Sequence, residues 1–362
     1  MAADEFKPND PRLRPPFPSE YPWTPIPTPA SDGAKVSIGL MESSRIRGPG
    51  VALSSFAKEG EEWTLPAFSF LVEHGDEAIL FDLGCREDPE NFTPVTKPAL
   101  EKFKVEPQPH PVFRLRDGGY DLSRIKTVIL SHKHFDHFGN LETVAAFDPL
   151  VVVGPGSLAG IGKGYPEDEK SIWPSGWLKD RRFAELPQPT EKKGDKWTVE
   201  GREGEKQWEK MACFEEGVDW FGDGSFWLIH APGHIVGQMM GLARVTTSPP
   251  TYILLGADVA HSQETYLPVP SSASSSDPRG TEPVLNGKVP FLEDPVRGVH
   301  DIGTLTRMSA EEDIMVLLAH EAPALNVLPR WPEKLDEWKE NGWKEKKQEG
   351  VEERAKERAA QV

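Results

Sequence analysis

Four side chains that commonly bind metal ions occur within six residues of this 362-residue chain. They are His132, His134, Asp136 and His137, and they follow an apolar run, residues 125–130, that is predicted to be a buried strand. Imidazole and carboxylate ligands without thiolate suit Zn²⁺, Fe or Mn. His132 and His134 alternate and can point one way, whereas Asp136 and His137 lie past the strand end and can turn another way. The spacing therefore predicts two adjacent metal ions.

Three further ligand candidates lie later in the chain, each just after a predicted buried strand. They are His234 after residues 226–230, Asp258 after residues 252–257 and His320 after residues 314–319. A single histidine at a strand end is more often structural than a ligand. Three such positions repeat one geometry, however, and the carboxylate of Asp258 could bridge two cations through its two oxygens. Together they predict the rest of a two-metal site.

The order of these motifs resembles that of the metallo-β-lactamase superfamily. The matching segments are His132-x-His134-x-Asp136-His137, Pro232-Gly233-His234, Gly256-Ala257-Asp258 and Ala319-His320, and Asp82 in Phe81-Asp82-Leu83-Gly84 fits the first motif of the family. The resemblance covers roughly residues 36–325. It implies an α/β (α+β) fold, a four-layer αββα sandwich, with the site at one edge between the two sheets.

The resemblance also implies a ligand set. One metal takes His132, His134 and His234, the other takes Asp136, His137 and His320, and Asp258 bridges both. Asp82 supports the site without binding a metal. The expected cofactor is two divalent metal ions per chain, with Zn²⁺ in first place. The chain departs from the family at two positions. The motif that usually reads Gly-Asp has Ala257 inserted, and position 133 is Lys, which is tolerated because side chains alternate and Lys133 should point away from the metals.

Among the branches of this family, the chain most resembles the lactonase-like one, which is related to the N-acyl-homoserine lactonases. That branch implies a metal-dependent hydrolase in which a metal-bridging hydroxide attacks a carbonyl carbon and opens a ring, in first place a lactone. Asp136 is close enough to relay a proton. Those lactonases have a tyrosine three residues after the bridging aspartate, where this chain has His261, a possible hydrogen-bond or proton donor. Asp136, Asp258 and His261 are therefore the catalytic candidates, and Tyr266 is a substitute donor.

Three alternatives stay open. The same site could open a cyclic amide or carbamate of a lactam-type xenobiotic, and His261 would suit that reaction because an amide leaving group needs protonation. A mononuclear-iron persulfide dioxygenase would leave His137 and His320 unused. A non-catalytic binding protein would usually have lost some ligands. His230, four residues before His234, either orients a ligand or is structural.

The composition narrows the choice of partners. A net charge of −17 disfavours phosphate backbones and anionic membranes, so neither a nucleic acid nor a membrane is expected. The N-terminus has no basic start and no apolar run, there is no apolar stretch of about 18 residues, and the cysteines are Cys85 and Cys213. These features predict a cytoplasmic protein. The resemblance to the lactonase-like branch implies a monomer or homodimer that acts on a small-molecule lactone or lactam.

The rest of the chain supplies the elements that position these residues. We predict a proline-rich arm over residues 1–35, a catalytic domain over 36–328 and a charged helix or tail over 329–362. Within the domain, about 157–222 is predicted to be an ordered, tryptophan-containing cap and about 267–298 a flexible loop. Finer predictions are a hairpin of 67–73 with 78–82, short helices over 97–104 and from Ser309, and a helix over 332–360 that docks Leu335 and Trp338.

Overall fold

A computed structural model describes residues 10–13, 21–27, 33–53, 57–190, 194–267, 291–349 and 351. The strands within them are β1 (Ser37–Pro49), β2 (Glu62–His74), β3 (Glu77–Phe81), β4 (Lys104–Pro107), β5 (Ile125–Leu130), β6 (Leu150–Val153), β7 (Arg182–Glu185), β8 (Trp197–Thr198), β9 (Glu205–Lys206), β10 (Glu209–Met211), β11 (Phe214–Asp219), β12 (Phe226–His230), β13 (Met239–Thr247), β14 (Pro250–Ala257) and β15 (Ile314–Leu318). The helices are α1 (Gly50–Leu53), α2 (Lys97–Lys102), α3 (Pro111–Asp117), α4 (Ser157–Ile161), α5 (Ser175–Asp180), α6 (Gln263–Tyr266), α7 (Pro295–Ser309) and α8 (Ala324–Val327). Residues 343–349 are also helical.

Two mixed sheets contain most of these strands. The first has the order β4-β1-β2-β3-β5-β6-β7 and the second the order β10-β11-β12-β13-β14-β15, while β8 and β9 pair separately. Strands β3, β5, β6 and β7 run parallel, and so do β14 and β15. Because parallel strands end at the same edge of a sheet, the residues that follow them are brought together there.

The main core lies between the two sheets. On β2, Phe68 and Phe70 face the second sheet, and on β12, Phe226 and Leu228 face the first. The intervening Trp227 points to the opposite side and joins a separate core there. This alternation is the two-residue period of a strand, and both faces are apolar because each sheet is covered on both sides.

Helices cover the two outer faces. Helix α7 packs on the second sheet through Ile302, Leu305 and Met308. Helix α3 packs on the first sheet through Val112 and Leu115. The order helix, sheet, sheet, helix confirms the predicted αββα sandwich.

Backbone hydrogen bonds join the two sheets beside the ligand candidates. The amide of Phe68 on β2 donates to the carbonyl of Ala319 at 3.0 Å, and the amide of Met239 on β13 donates to the carbonyl of Ser131 at 2.8 Å. Ala319 and Ser131 each come directly before a ligand candidate. The sheets are therefore tied together by backbone hydrogen bonds at the edge where the site lies.

Most local predictions are confirmed, and two helix starts are wrong, the first of them at Ser309. The hairpin is β2 with β3, the strand before the cluster is β5, and the helix near residue 97 is α2. Ser309 does not begin a helix but ends α7. That helix begins instead at Pro295, where the carboxylate of Asp294 accepts a hydrogen bond from the amide of Arg297 at 3.0 Å. Asp followed by Pro is a favourable helix start.

The predicted helix over 332–360 is wrong in its first part. Among the described residues it is helical at 343–349 and 351. The preceding segment lies along β1 instead, with the amide of Trp331 donating to the carbonyl of Leu40 and that of Leu335 to the carbonyl of Ile38, both at 2.8 Å. These bonds satisfy an otherwise open strand edge. The docking of Leu335 is confirmed, as is that of Trp338, since both side chains are fully buried in the inter-sheet core.

The segment predicted as a cap, about 157–222, contributes β7 to the first sheet and β10 and β11 to the second. Its Trp173 lies in the core outside the first sheet, and its Trp220 lies between the sheets. Of the predicted arm, Tyr21 is buried against α7. Most of the predicted flexible loop, residues 268–290, lies outside the described residues. The division of the chain into arm, catalytic domain and tail stays a prediction.

Candidate metal centre

The structure brings all seven predicted ligands together at one edge of the sandwich. They form two groups, His132, His134, His234 and Asp258, and Asp136, His137, Asp258 and His320. Within each group the candidate ligand atoms lie within 4.8 Å of one another. Asp258 belongs to both groups, as expected of a bridging carboxylate.

Three imidazole nitrogens converge in the first group. His134 Nδ1 lies 2.9 Å from His132 Nε2 and 3.0 Å from His234 Nε2. Asp258 Oδ2 lies 3.8 Å from each of those Nε2 atoms. Burial and the neighbouring histidines hold the pKa values of His132 and His234 well below the ordinary value. Both rings are therefore neutral, which is the form that binds metal ions.

Histidines and carboxylates alternate in the second group. His320 Nε2 lies 3.2 Å from Asp136 Oδ2 and 3.2 Å from Asp258 Oδ2. Burial lowers the pKa of His320, but Asp258 and Asp136 outweigh it and raise that pKa to about 10. Burial raises the pKa of Asp136, but His137 and His320 outweigh it and lower that pKa to about 2. Positive charge is thus favoured among these carboxylates, and a bound cation would displace the imidazole protons.

Two buried atoms of the second group lack hydrogen bonds. His137 Nε2 and Asp258 Oδ1 face each other at 3.2 Å, yet neither makes a hydrogen bond of acceptable geometry. Buried polar atoms are nearly always partnered, so an opposed nitrogen and oxygen of this kind call for a group between them. Nitrogen and carboxylate donors in these two groups fit a pair of divalent cations such as Zn²⁺.

Outer partners orient two of the imidazoles. His137 Nδ1 lies 2.8 Å from Asp82 Oδ2, and His320 Nδ1 lies 2.6 Å from the carbonyl oxygen of Pro66. The amide and the hydroxyl of Ser131 each donate to the Asp82 carboxylate at 2.7 Å. Such contacts turn the Nε2 atoms towards the site. The sequence analysis identified Asp82 but not Ser131 or Pro66. Ser131 adjoins the histidine cluster and could have been noticed, whereas Pro66 acts through its backbone from a distant strand.

Unusual backbone conformations occur where the chain leaves the strands and enters the loops of the site. Asp82 after β3 and Ala257 at the end of β14 have φ values of 59° and 45°, in the left-handed region that non-glycine residues rarely adopt. Gly233 is needed for another reason, because a Cβ atom there would lie 2.2 Å from the Cα atom of Gly298 in α7. The glycine before His234 therefore allows α7 to pack directly against the ligand loop.

His261 lies beside both groups. Its Nε2 is 3.3 Å from Asp258 Oδ2, and its ring stacks on that of His320 with 5.6 Å between centroids and 8° between planes. It is 8% exposed, about as much as the ligand candidate Asp136 at 7%. A donor to a substrate bound at the two groups would need such contact with them.

His230 and Tyr266 lie away from the two ligand groups. His230 Nδ1 is 2.8 Å from Glu216 Oε2, and the ring is not part of either group. Tyr266 is buried in the core outside the second sheet, and burial together with the nearby Glu321 raises the pKa of its hydroxyl well above the ordinary value. Tyr266 therefore faces a buried carboxylate rather than a substrate.

Comparisons with known proteins agree with this geometry. Residues 63–209 match the family model of the metallo-beta-lactamase superfamily. A gamma-lactamase of Fusarium pseudograminearum is 30% identical over 77% of this chain and 72% of its own length. A metallo-hydrolase of Annulohypoxylon moriforme is 31% identical over 76% of this chain and 75% of its own length. The chain belongs to the metallo-beta-lactamase superfamily. This member of the superfamily is a metal-dependent hydrolase.

A solved structure shares the superfamily fold. It is an N-acyl homoserine lactone hydrolase with the product N-hexanoyl-L-homoserine bound at its catalytic metal centre. The TM-score is 0.57 at 17% identity, over 83% of this chain and 99% of that one, and it supports the sandwich alone. No helix in the described part of the chain is both long and apolar enough to cross a membrane.

Proposed function

We propose that this chain is a dinuclear hydrolase that opens a carbonyl-containing ring. The observation that carries the proposal is the sharing of Asp258 by two complete ligand groups. A single-metal enzyme would need only one of those groups. The second group, in contrast, is as buried as the first and is oriented by its own outer partners, Asp82 and the Pro66 carbonyl.

The chain's residues would hold two cations, most simply Zn²⁺, in the arrangement predicted from the sequence. His132, His134 and His234 would hold one, Asp136, His137 and His320 would hold the other, and Asp258 is placed to serve both. Bound cations of this kind polarise a carbonyl oxygen and lower the pKa of a bound water to about 7. The buried walls keep bulk water out, which strengthens every electrostatic interaction inside the site.

Asp136 and His261 are suited to proton handling. Asp136 is ionised at neutral pH and is 7% exposed, so its carboxylate can accept a hydrogen bond from an attacking water and orient it for proton relay. His261 lies 3.3 Å from Asp258 and can donate a hydrogen bond to the substrate carbonyl or a proton to the leaving group. No serine or cysteine nucleophile is needed.

The ring is either a lactone or a cyclic amide. The sequence analysis favoured a lactone, and an N-acyl homoserine lactonase of Rhizobium johnstonii is 23% identical to this chain over 76% of its length. Two observations now favour the cyclic amide. The more similar relative is a gamma-lactamase, and His261 supplies the donor that an amide leaving group requires. We therefore place the cyclic amide or carbamate first and the lactone second.

The mononuclear-iron alternative is less well supported. It would leave His137 and His320 without a role, although both are held in place by partners outside the site. We also propose a cytoplasmic location, because both cysteines are free thiols. Assembly as a monomer or homodimer stays a prediction.

A substrate panel tests the proposed function. Separate samples loaded with zinc and with ferrous iron are incubated with five-membered lactams, cyclic carbamates, lactones and a persulfide, with Asp258→Asn as the control. We expect ring opening in ¹⁸O-labelled water to place one label in the new carboxylate, and we expect the control to be inactive. Oxygen consumption with the persulfide, and no opening of any ring, would overturn the proposal.

A further inference from the structure

A lysine from the C-terminal helical stretch is buried directly behind the metal centre. Lys347 is 2% exposed, and its ammonium forms an ion pair with the carboxylate of Glu321, which is 1% exposed. The same ammonium donates to the carbonyl oxygen of Val316 on β15 at 2.8 Å. Glu321 follows the ligand candidate His320 in the chain. The C-terminal segment thus reaches the neighbour of a metal ligand.

Glu321 connects the two loops that carry site residues. Its Oε2 accepts from the amide of Leu318 at 3.1 Å, at the end of β15. Its Oε1 accepts from the side-chain amide of Gln263 at 2.6 Å. Gln263 follows His261 by two residues. One carboxylate therefore ties the loop of His320 to the loop of His261, and Lys347 holds that carboxylate.

Anchoring of the tail alone does not account for this ion pair. Leu335 and Trp338 already anchor the preceding segment by fully buried apolar contacts. Replacing a buried ion pair by apolar side chains is often neutral or stabilising, so such a pair is weak evidence for a role in stability. Here Glu321 also bonds to groups two residues away from His320 and His261, the amide of Leu318 and the side chain of Gln263, which is the arrangement expected of a positioning residue.

We propose that Lys347 and Glu321 are positioning residues of the metal centre, which makes the C-terminal segment part of the catalytic unit. Together with Gln263 they hold the His320 and His261 loops at a fixed separation. The inference rests on the proposed function, since it takes His320 to be a ligand. It adds a requirement that lies outside the metal-binding motifs.

Zinc affinity, measured for each of two binding steps by competition with a chromophoric chelator, tests the inference. In the full-length Lys347→Met protein we expect one step to weaken by about 10–100-fold, as for other residues that orient ligands, and the other to change little. Lys344→Met is the matched control. Lys344 lies on the same helical stretch and is also buried, but its ammonium donates to the carbonyl of Glu311 and does not contact Glu321. The control should bind zinc like the wild type.

A second variant keeps the test decisive if Lys347→Met does not fold. Gln263→Leu leaves the ion pair intact and removes one hydrogen bond to Glu321, so it should weaken the same step in the same direction. Wild-type affinities at both steps in Lys347→Met, or in Gln263→Leu if Lys347→Met does not fold, would overturn the inference alone. A wild-type protein that binds a single zinc ion would overturn the proposed function and the inference with it.

Discussion

Asp82 offers a sharp test of the metal centre. The substitution Asp82→Asn replaces one carboxylate oxygen by an NH₂ group and should be enough to weaken metal binding. The carboxylate is buried and accepts three hydrogen bonds, two from Ser131 and one from His137 Nδ1. Its φ of 59° is a conformation that asparagine also tolerates. Asp82→Asn should therefore preserve the backbone and change only the donor and acceptor pattern.

The asparagine amide has one acceptor oxygen and must place its NH₂ group against Ser131 or His137. Against His137 Nδ1, it favours the tautomer whose proton sits on Nε2, the atom that faces Asp258 at 3.2 Å. A hydrogen bond to a charged group contributes about 1.5–3 kcal/mol, and each 1.4 kcal/mol is a factor of ten, so one zinc-binding step should weaken by roughly 10–150-fold.

The assay is the same two-step chelator competition, with Asp223→Asn as the control. Asp223 pairs with His74 at 2.7 Å in a partly exposed position away from the ligand groups, so its loss should leave both steps unchanged. The reasoning is refuted if Asp82→Asn binds zinc at both steps with wild-type affinity while remaining folded.

Three further substitutions probe the bridging carboxylate, the proton donor and a buried histidine. Asp258→Asn removes the ligand shared by both groups, so metal content by plasma mass spectrometry should fall by at least one ion per chain, and unchanged content would mean that Asp258 is not a ligand. His261→Gln should retain the metal and lower turnover by about 10²–10⁴-fold, with a larger loss on amides than on esters, whereas an equal loss on both would argue against proton donation to the leaving group. In His110→Gln, the free energy of unfolding, measured with urea, should fall less steeply than in the wild type as the pH is lowered from about 7 to about 4. Burial lowers the pKa of His110 from 6.5 to about 3. The stability tied to neutral His110 is thus fully present above pH 6.5 and is lost, by up to about 1.4 kcal/mol per pH unit, as the pH falls towards 3. An equal fall of the free energy of unfolding with pH in the two proteins would contradict this role of His110.

The ligand candidates were predictable because each is marked locally. An apolar run such as Ile125–Leu130 identifies a buried strand, and the polar residues that follow it stand out against that background. Asp82 carries the same mark after β3. The αββα arrangement came from the order of the motifs, since apolar runs alone do not say which strands pair.

Contacts between distant residues were not predictable. Pro66 and His320 are 254 positions apart, and no sequence pattern predicts that a backbone carbonyl of β2 orients a ligand. Helix α7 was missed because Gly298 and Gly303 lower its intrinsic helix propensity. Both glycines serve tertiary packing, and a Cβ atom at Gly303 would lie 1.8 Å from the hydroxyl oxygen of Tyr21. Local propensity was overridden there by the fit between α7 and its neighbours.

Metal content per chain tests the central claim most directly. Plasma mass spectrometry on full-length protein, purified without added metal or chelator, measures it without any assumption about the substrate. Two divalent ions per chain, zinc or a zinc-containing mixture, are the predicted result. A single iron per chain would contradict the shared role of Asp258 and would leave His137 and His320 without the function proposed for them.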